Sequence, residues 1–150
     1  EAYDLNVQQF CCEGLNFGYF YEKSPIISHE SEAAPDYSMG AFTPSTLPGC
    51  RAPHFWLNDG TSLYDLLGNG YSLLRFDQSI DVQAFLQDSA AQNIPLKLID
   101  LHDQDQKPSA YQHPLVLCRT DQHVVWRGHE LPLSVAKFVS FLKGIASSEN

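Results

Sequence analysis

Five side chains carry the groups with most chemistry to offer: Arg51, His54, Asp65, Trp126 and Arg127. An imidazole and a carboxylate form a proton-transfer pair only if the fold brings them within hydrogen-bond reach. His54 and Asp65 stand apart in the sequence and no activated nucleophile accompanies them, so covalent catalysis is not expected. The residue types fit two other roles. Arg51 and Asp65 would pin the entry loop through a charge-assisted hydrogen bond, with Arg127 and Trp126 on the exposed face of a hairpin. Alternatively, some of the five touch a second body, because Trp, Tyr and Arg are enriched at interfaces. None is assigned as a catalytic, cofactor-binding or metal-ligating residue.

The thiols and imidazoles narrow the chemistry further. Cys11 and Cys12 are adjacent, Cys50 and Cys118 stand alone, and no C-x-x-C occurs. A zinc ribbon and a dithiol redox motif both lack their ligand spacing, and four cysteines are too few for a disulfide scaffold, so a reducing, cytoplasmic location is expected. Cys118, inside an apolar run, is expected as a small buried residue. The histidines form no H-x-H or H-E-x-x-H pattern. Asp100–Asp105 lacks the turn glycine and bidentate glutamate of a calcium loop and reads as solvated acidic surface.

Nine Lys+Arg against eighteen Asp+Glu leave a formal charge of −9. A nucleic-acid surface needs a basic face to displace counterions, and a polybasic membrane anchor is equally disfavoured. No apolar run approaches the roughly 20 residues of a membrane span. The 150 residues suit about one domain, and the opening Glu1-Ala2-Tyr3 reads as a piece of something longer.

The elements that must position these groups begin near Pro48. Upstream, Phe17, Tyr19 and Tyr21 alternate like a half-buried strand, packing either on the following domain or on a larger missing body. Residues 29–36 are polar and aperiodic, as in a linker or surface loop. Phe55-Trp56-Leu57 is a short strand closed by Asn58-Asp59-Gly60. Thr61 or Ser62 caps a helix carrying Leu63, Leu66 and Leu67, ended by Gly68. Residues 71–76 form a second strand. Asp81 opens a helix with Val82, Phe85, Leu86 and Ala90 on one face. Residues 95–101 are a third strand, with Leu96, Leu98 and Asp100 opposite Lys97, Ile99 and Leu101. Residues 114–119 and 123–127 make a hairpin turning at Asp121-Gln122. The last helix buries Val135, Phe138, Val139, Leu142 and Ile145 and turns Lys137, Ser140 and Lys143 outward.

This order calls for an α/β domain, a mixed sheet with crossover helices on its faces. It is similar to the thioredoxin fold without its C-x-x-C pair: Asp77-Gln78-Ser79-Ile80 follow the second strand instead. His113-Pro114 stands where such folds place a cis-proline. The expected division is an upstream tail and linker at 1–47, the thioredoxin-like domain at 48–147 and a disordered tail at 148–150.

Two stretches carry a more specific likeness. Pro48-Gly49-Cys50-Arg51-Ala52-Pro53-His54-Phe55-Trp56-Leu57, continuing to Leu63-Tyr64-Asp65-Leu66-Leu67-Gly68, resembles the start of the C-terminal domain of FAD-dependent aromatic-ring monooxygenases. These are enzymes of the phenol hydroxylase and 3-(3-hydroxyphenyl)propionate hydroxylase type. Leu117-Cys118-Arg119-Thr120-Asp121-Gln122-His123-Val124-Val125-Trp126-Arg127-Gly128 resembles that domain's hairpin, L-V-R-P-D-x-H-V-A-W-R-G, with Cys118 and Thr120 as departures. Residues 15–25 are similar to the end of the preceding flavin and substrate region.

The resemblance implies a parent enzyme that reduces FAD with NAD(P)H and transfers oxygen to an aromatic or phenolic ring. It implies a flavin-binding domain in the same chain as partner, and a homodimer as a second possibility. FAD would sit on a G-x-G-x-x-G turn after a strand; Gly68-Asn69-Gly70 is the nearest match and reads as a helix stop. The fragment itself is therefore expected to hold no cofactor and to be inactive. The alternatives are an independent thioredoxin-like redox protein using Cys50 or Cys118, and a small binding module.

Overall fold

A computed structural model describes residues 12–144. The elements are α1 (Glu13–Phe17), α2 (Leu63–Leu66), β1 (Tyr71–Arg75), α3 (Gln83–Ala91), β2 (Leu96–Asp100), β3 (Leu115–Cys118), β4 (Val124–Gly128) and α4 (Val135–Leu142). Cys11, Ile145 and the tail at 148–150 lie outside the described residues.

The chain forms an α/β domain around one mixed sheet of order β2-β1-β3-β4. β1 and β2 are parallel and joined through α3; β3 lies antiparallel to both β1 and β4. Strand alternation sends side chains to two faces. Leu73, Leu115, Leu117 and Val125 meet Val82, Phe85, Phe138, Val139 and Leu142, so α3 and α4 cover one face. Leu74, Val116, Cys118 and Val124 face Ala52, Phe55, Leu63 and Tyr111, so loops and the short α2 cover the other. Val125 is the extra residue of a bulge, since Leu117 pairs with Trp126 and Cys118 with Val124. The bulge brings Val125 and Trp126 to the same side.

Several expectations shift. Phe55–Leu57 is not a strand: Leu57 N–H donates to Thr61 at 2.9 Å, the chain reverses at once, and only Trp56 bridges Ser62. The sheet therefore has four strands. Ser62 caps α2 by accepting from Tyr64 N–H, and the helix stops at Leu66 because Leu67 turns extended, before Gly68. In α3, Ser89 is buried and Ala90 exposed, so the inward stripe is Val82, Phe85, Leu86 and Ser89 at the spacing of one helix face. Asp81 starts this turn through Oδ1, which accepts from Gln83 N–H at 2.9 Å. No peptide bond among the described residues is cis, His113-Pro114 included. The hairpin closes through residues 120–122 with Gln122 at φ 69°, and the buried stripe of α4 includes Phe138, Val139 and Leu142 as expected.

The upstream stretch is not a strand across Phe17–Tyr21 either. α1 ends at Phe17, and Phe20 bridges Cys50. The Cys50–Arg51 backbone lies along β4: Gly49 N–H donates to Val124 at 2.8 Å, Val124 N–H to Cys50 at 2.9 Å, and Arg51 bridges His123. Ser28 N–H donates to Val125 at 2.9 Å. Upstream backbone thus satisfies the outer edge of β4, which would otherwise offer unpaired donors and acceptors.

Candidate functional site

The loop at 48–54 gathers the polar groups, and its backbone is held at nearly every step. Gly49 sits at φ 106°, where a Cβ would lie 2.6 Å from the Phe20 ring and 2.8 Å from the Tyr21 carbonyl. Only glycine allows this crossing of two chain segments. Ala52 N–H donates to Gln122 O at 2.8 Å. The next two carbonyls are each met by a phenol: Tyr64 donates to Ala52 O at 2.6 Å and Tyr111 to Pro53 O at 2.6 Å. Burial raises the pKa of both phenols, that of Tyr111 well above its usual value; the Arg51 charge partly offsets the rise at Tyr64.

Arg51 does not pair with Asp65. Its Nε and Nη2 both donate to Gln122 Oε1, the former at 2.9 Å, and its guanidinium lies 5.0 Å from the ring centres of both Phe17 and Tyr64. A planar cation stacked between two aromatic faces and forked onto one acceptor is a rigid fixture. It ties α1, the 48–54 loop, α2 and the hairpin turn together.

His54 and Asp65 both border an open groove of about 670 Å³, but no hydrogen bond joins them among the described residues. His54 Nε2 lies 2.9 Å from Ser62 Oγ, and its ring packs edge-on against Trp56 and Tyr64. A hydroxyl beside an imidazole is half of a nucleophile–base arrangement. Here Ser62 is buried and its oxygen already accepts from Tyr64 N–H. Among the described residues no hydrogen bond orients His54 Nδ1, so the arrangement has no third group of a triad.

Arg127 and Trp126 do not occupy an exposed hairpin face. The bulge turns Trp126 onto Phe138, with ring centres 5.2 Å apart. The Arg127 side chain is 7% exposed. It donates through Nε and Nη2 to Glu30 at 2.8–3.3 Å, also reaches Glu32, and donates through Nη1 to Thr46 at 3.3 Å. Burial alone would lower its pKa, yet the two carboxylates hold it above the usual arginine value. The arginine clamps residues 30–46 to the sheet edge.

Neither described solitary thiol suits nucleophilic chemistry. Cys118 is fully buried and its pKa is pushed up to about 12 by burial; Cys50 is raised for the same reason. No group of three His, Cys, Asp or Glu among the described residues is placed to hold a metal ion. Asp100 instead pairs with Arg75 at 2.6 Å.

FAD does not fit the glycine pair. Gly68-Asn69-Gly70 follows α2 and leads into β1, the reverse of a strand–turn–helix phosphate cradle. A Cβ on Gly70 would lie 2.3 Å from the Pro95 carbonyl, so this glycine admits the neighbouring backbone rather than a pyrophosphate.

Residues 45–145, about two thirds of the chain, match the family model described as aromatic-ring hydroxylase, C-terminal. The chain belongs to this family. The FAD-dependent monooxygenase opdD of Penicillium oxalicum is 30% identical to this aromatic-ring hydroxylase C-terminal domain over 125 residues, covering 80% of the chain but 24% of that protein. Phenol 2-monooxygenase of a Pseudomonas species is 26% identical over 149 residues, covering 87% of the chain and 24% of that protein. The rebeccamycin biosynthetic enzyme RebC with reduced flavin matches 93% of the chain at a TM-score of 0.79 and 35% identity, and the match spans 25% of RebC. Aklavinone-11 hydroxylase with FAD and aklavinone, at 22% identity and a TM-score of 0.68, shares the fold. The chain thus spans about a quarter of the length of the curated relatives it matches.

The sequence pointed to Arg51, His54 and Arg127 but missed their partners. Gln122, Ser62, Glu30 and Glu32 carry no motif. Tyr64 and Tyr111 act on backbone carbonyls, which have no sequence signature.

Proposed function

We propose that this chain is the thioredoxin-like C-terminal domain of an FAD- and NAD(P)H-dependent monooxygenase acting on an aromatic or phenolic substrate. It contributes no group to the reacting atoms. It serves packing, against the flavin-binding region of the same chain or between two copies, in a cytoplasmic protein. The flavin chemistry belongs to the part of the enzyme beyond this domain; among the described residues the turn from β1 to α3 carries no glycine to admit a dinucleotide's phosphates.

One observation carries the reading: Arg51 and His54, the charged or basic groups of the 48–54 loop, are both engaged in holding backbone or rings. Arg51 is forked onto Gln122, and His54 is lodged against Ser62, Trp56 and Tyr64. The raised Cys50 and Cys118 weigh against an independent thiol-redox protein, which needs a low-pKa thiolate.

The test is His54→Gln and Asp65→Asn in the full-length enzyme, read by kcat for hydroxylation and by the rate of flavin reduction. The expected change is within about twofold. A general acid–base role would cost about 10²- to 10⁴-fold in kcat, and a loss of that size in a folded, flavin-loaded variant would refute the proposal. The 150-residue chain, purified alone, is expected to show no flavin absorbance.

A further inference from the structure

Seven large hydrophobic side chains among the described residues are strongly exposed, and five of them fall in one upstream stretch: Leu15 (57%), Phe17 (40%), Tyr19 (58%), Tyr37 (62%) and Met39 (59%). They gather around α1 and the 38–41 turn. Leu15 N–H donates to Met39 O at 3.3 Å, and Phe17, Tyr19 and Tyr37 line a single cleft. The backbone beneath them is fixed. A Cβ on Gly14 would lie 1.5 Å from Ser38 O, so α1 rests directly on the 38–41 turn. Tyr21, two residues beyond Tyr19, is anchored to Asp121 through its hydroxyl at 3.1 Å. A preformed apolar face of this kind marks an interaction site rather than scattered surface hydrophobics.

We propose that this face is where the domain seats on the flavin-binding region of its own longer chain, with an apolar counter-surface carrying acceptors for the Tyr19 and Tyr37 hydroxyls. The inference rests on the proposed function and names its contact surface. Two observations favour this occupant. The face lies just upstream of the family match at 45–145, on the side where the longer relatives carry the rest of their length. The RebC match reaches 93% of the chain and therefore extends into this stretch, so the segment bearing the face shares the fold of a four-times-longer flavoenzyme. A covalent link also makes docking intramolecular, so a modest patch suffices.

Hydroxyl-radical footprinting of the 150-residue chain and of the full-length protein tests the assignment, with Cys118 protection from alkylation confirming that both are folded. Oxidation of Leu15, Tyr19, Tyr37 and Met39 is expected to fall about fivefold or more in the full-length protein, as exposures near 60% drop to those of an interface core. Trp56 and Leu133, exposed elsewhere at 59% and 105%, are the internal reference and should not change. Tyr37→Asp in the full-length protein is expected to restore oxidation at Leu15 and Tyr19. Equal oxidation in the two proteins would overturn the proposal. So would protection already present in the 150-residue chain and lost on dilution, which would assign the face to a second copy. An unprotected face in an active flavoenzyme sinks the docking face alone. A full-length protein without flavin or hydroxylase activity sinks the proposed function and leaves the footprint readable.

Discussion

Removing one phenolic oxygen, Tyr111→Phe, tests how the motif loop is held. Tyr111 is 1% exposed and its hydroxyl donates to Pro53 O at 2.6 Å; Pro53 is also buried. Phenylalanine keeps the ring contacts with Phe55 and Phe76 but leaves a buried carbonyl without its donor. Such a loss costs about 1–3 kcal/mol. Tyr64 makes the same bond one residue earlier, to Ala52 O at 2.6 Å, but it is only partly buried and lines the open groove, from which water can reach the place of the lost hydroxyl. Tyr64→Phe is therefore expected to cost only about 0.5–1 kcal/mol. The assay is urea unfolding followed by circular dichroism, with an unchanged m-value required for the comparison. At about 2–4 °C per kcal/mol for a chain of this size, Tyr111→Phe should lower Tm by roughly 2–12 °C. The two carbonyls are adjacent, so the double variant should depart from additivity by about 0.5 kcal/mol or more. A Tyr111→Phe protein within 0.5 kcal/mol of the parent, or a Tyr64→Phe protein that is the less stable of the two, would refute the reasoning.

Two further predictions concern the buried titratable groups. Cys118, Cys50, Tyr64, Tyr71 and Tyr111 all have folded-state pKa values above their ordinary ones, chiefly through burial. Above about pH 9 the unfolded chain loses these protons first, so the folded state binds more protons and stability falls as pH rises. Cys118 alone, with a pKa of about 12, gives a slope approaching 1.4 kcal/mol per pH unit between those values. Denaturant unfolding at pH 8 and pH 10 measures it; Cys118→Ala should flatten the slope, and an unchanged slope would remove Cys118 as its source. Arg127→Ala frees Glu30 and Glu32 from their clamp, and since those carboxylates are 33% and 61% exposed the global cost should be small, about 1–2 kcal/mol. Its main effect should be local: faster amide exchange and proteolysis within 28–46, which Arg127→Lys should only partly prevent because the planar fork is lost.

The regular part of the fold was legible because burial on two sides writes a period into the sequence. Strands β1 to β4 and helix α4 stand where alternation and three-to-four spacing put them. Failures came where backbone partners decide. Phe55–Leu57 has strand-like residues, but the turn at 58–60 leaves it room for one bridge. Phe17, Tyr19 and Tyr21 alternate, yet α1 absorbs the first, and Tyr21 packs edge-on against His123 with ring centres 4.7 Å apart. In α3 the buried position falls on Ser89 rather than Ala90, because the inward face is set by Val82 and Phe85, and a serine is small enough to sit there.

The candidate site shows the same division more sharply. Residue type drew attention to Arg51 and Arg127, and each guanidinium is met by acceptors, as a group with several donors usually is. It paired Arg51 with the wrong acceptor, because a carboxylate in the same motif is visible in a sequence and a glutamine on a distant hairpin is not. The geometry then explains the motif at 48–54 without reference to a reaction. Gly49 permits the crossing with Phe20 and Tyr21, Arg51 locks that crossing to the hairpin turn, and Pro53, which has no N–H, presents a carbonyl that Tyr111 meets. Arg127, from the adjacent strand, ties down the residues that lead into the crossing. A joint this fully determined holds α1 and the 38–41 turn in fixed register with the sheet, and those two elements carry Leu15, Tyr19, Tyr37 and Met39 on or beside them. Rigid support under an exposed apolar face lowers the entropy that docking must overcome. Under the proposed docking, the part of the motif's charged and aromatic residues is to shape that contact surface.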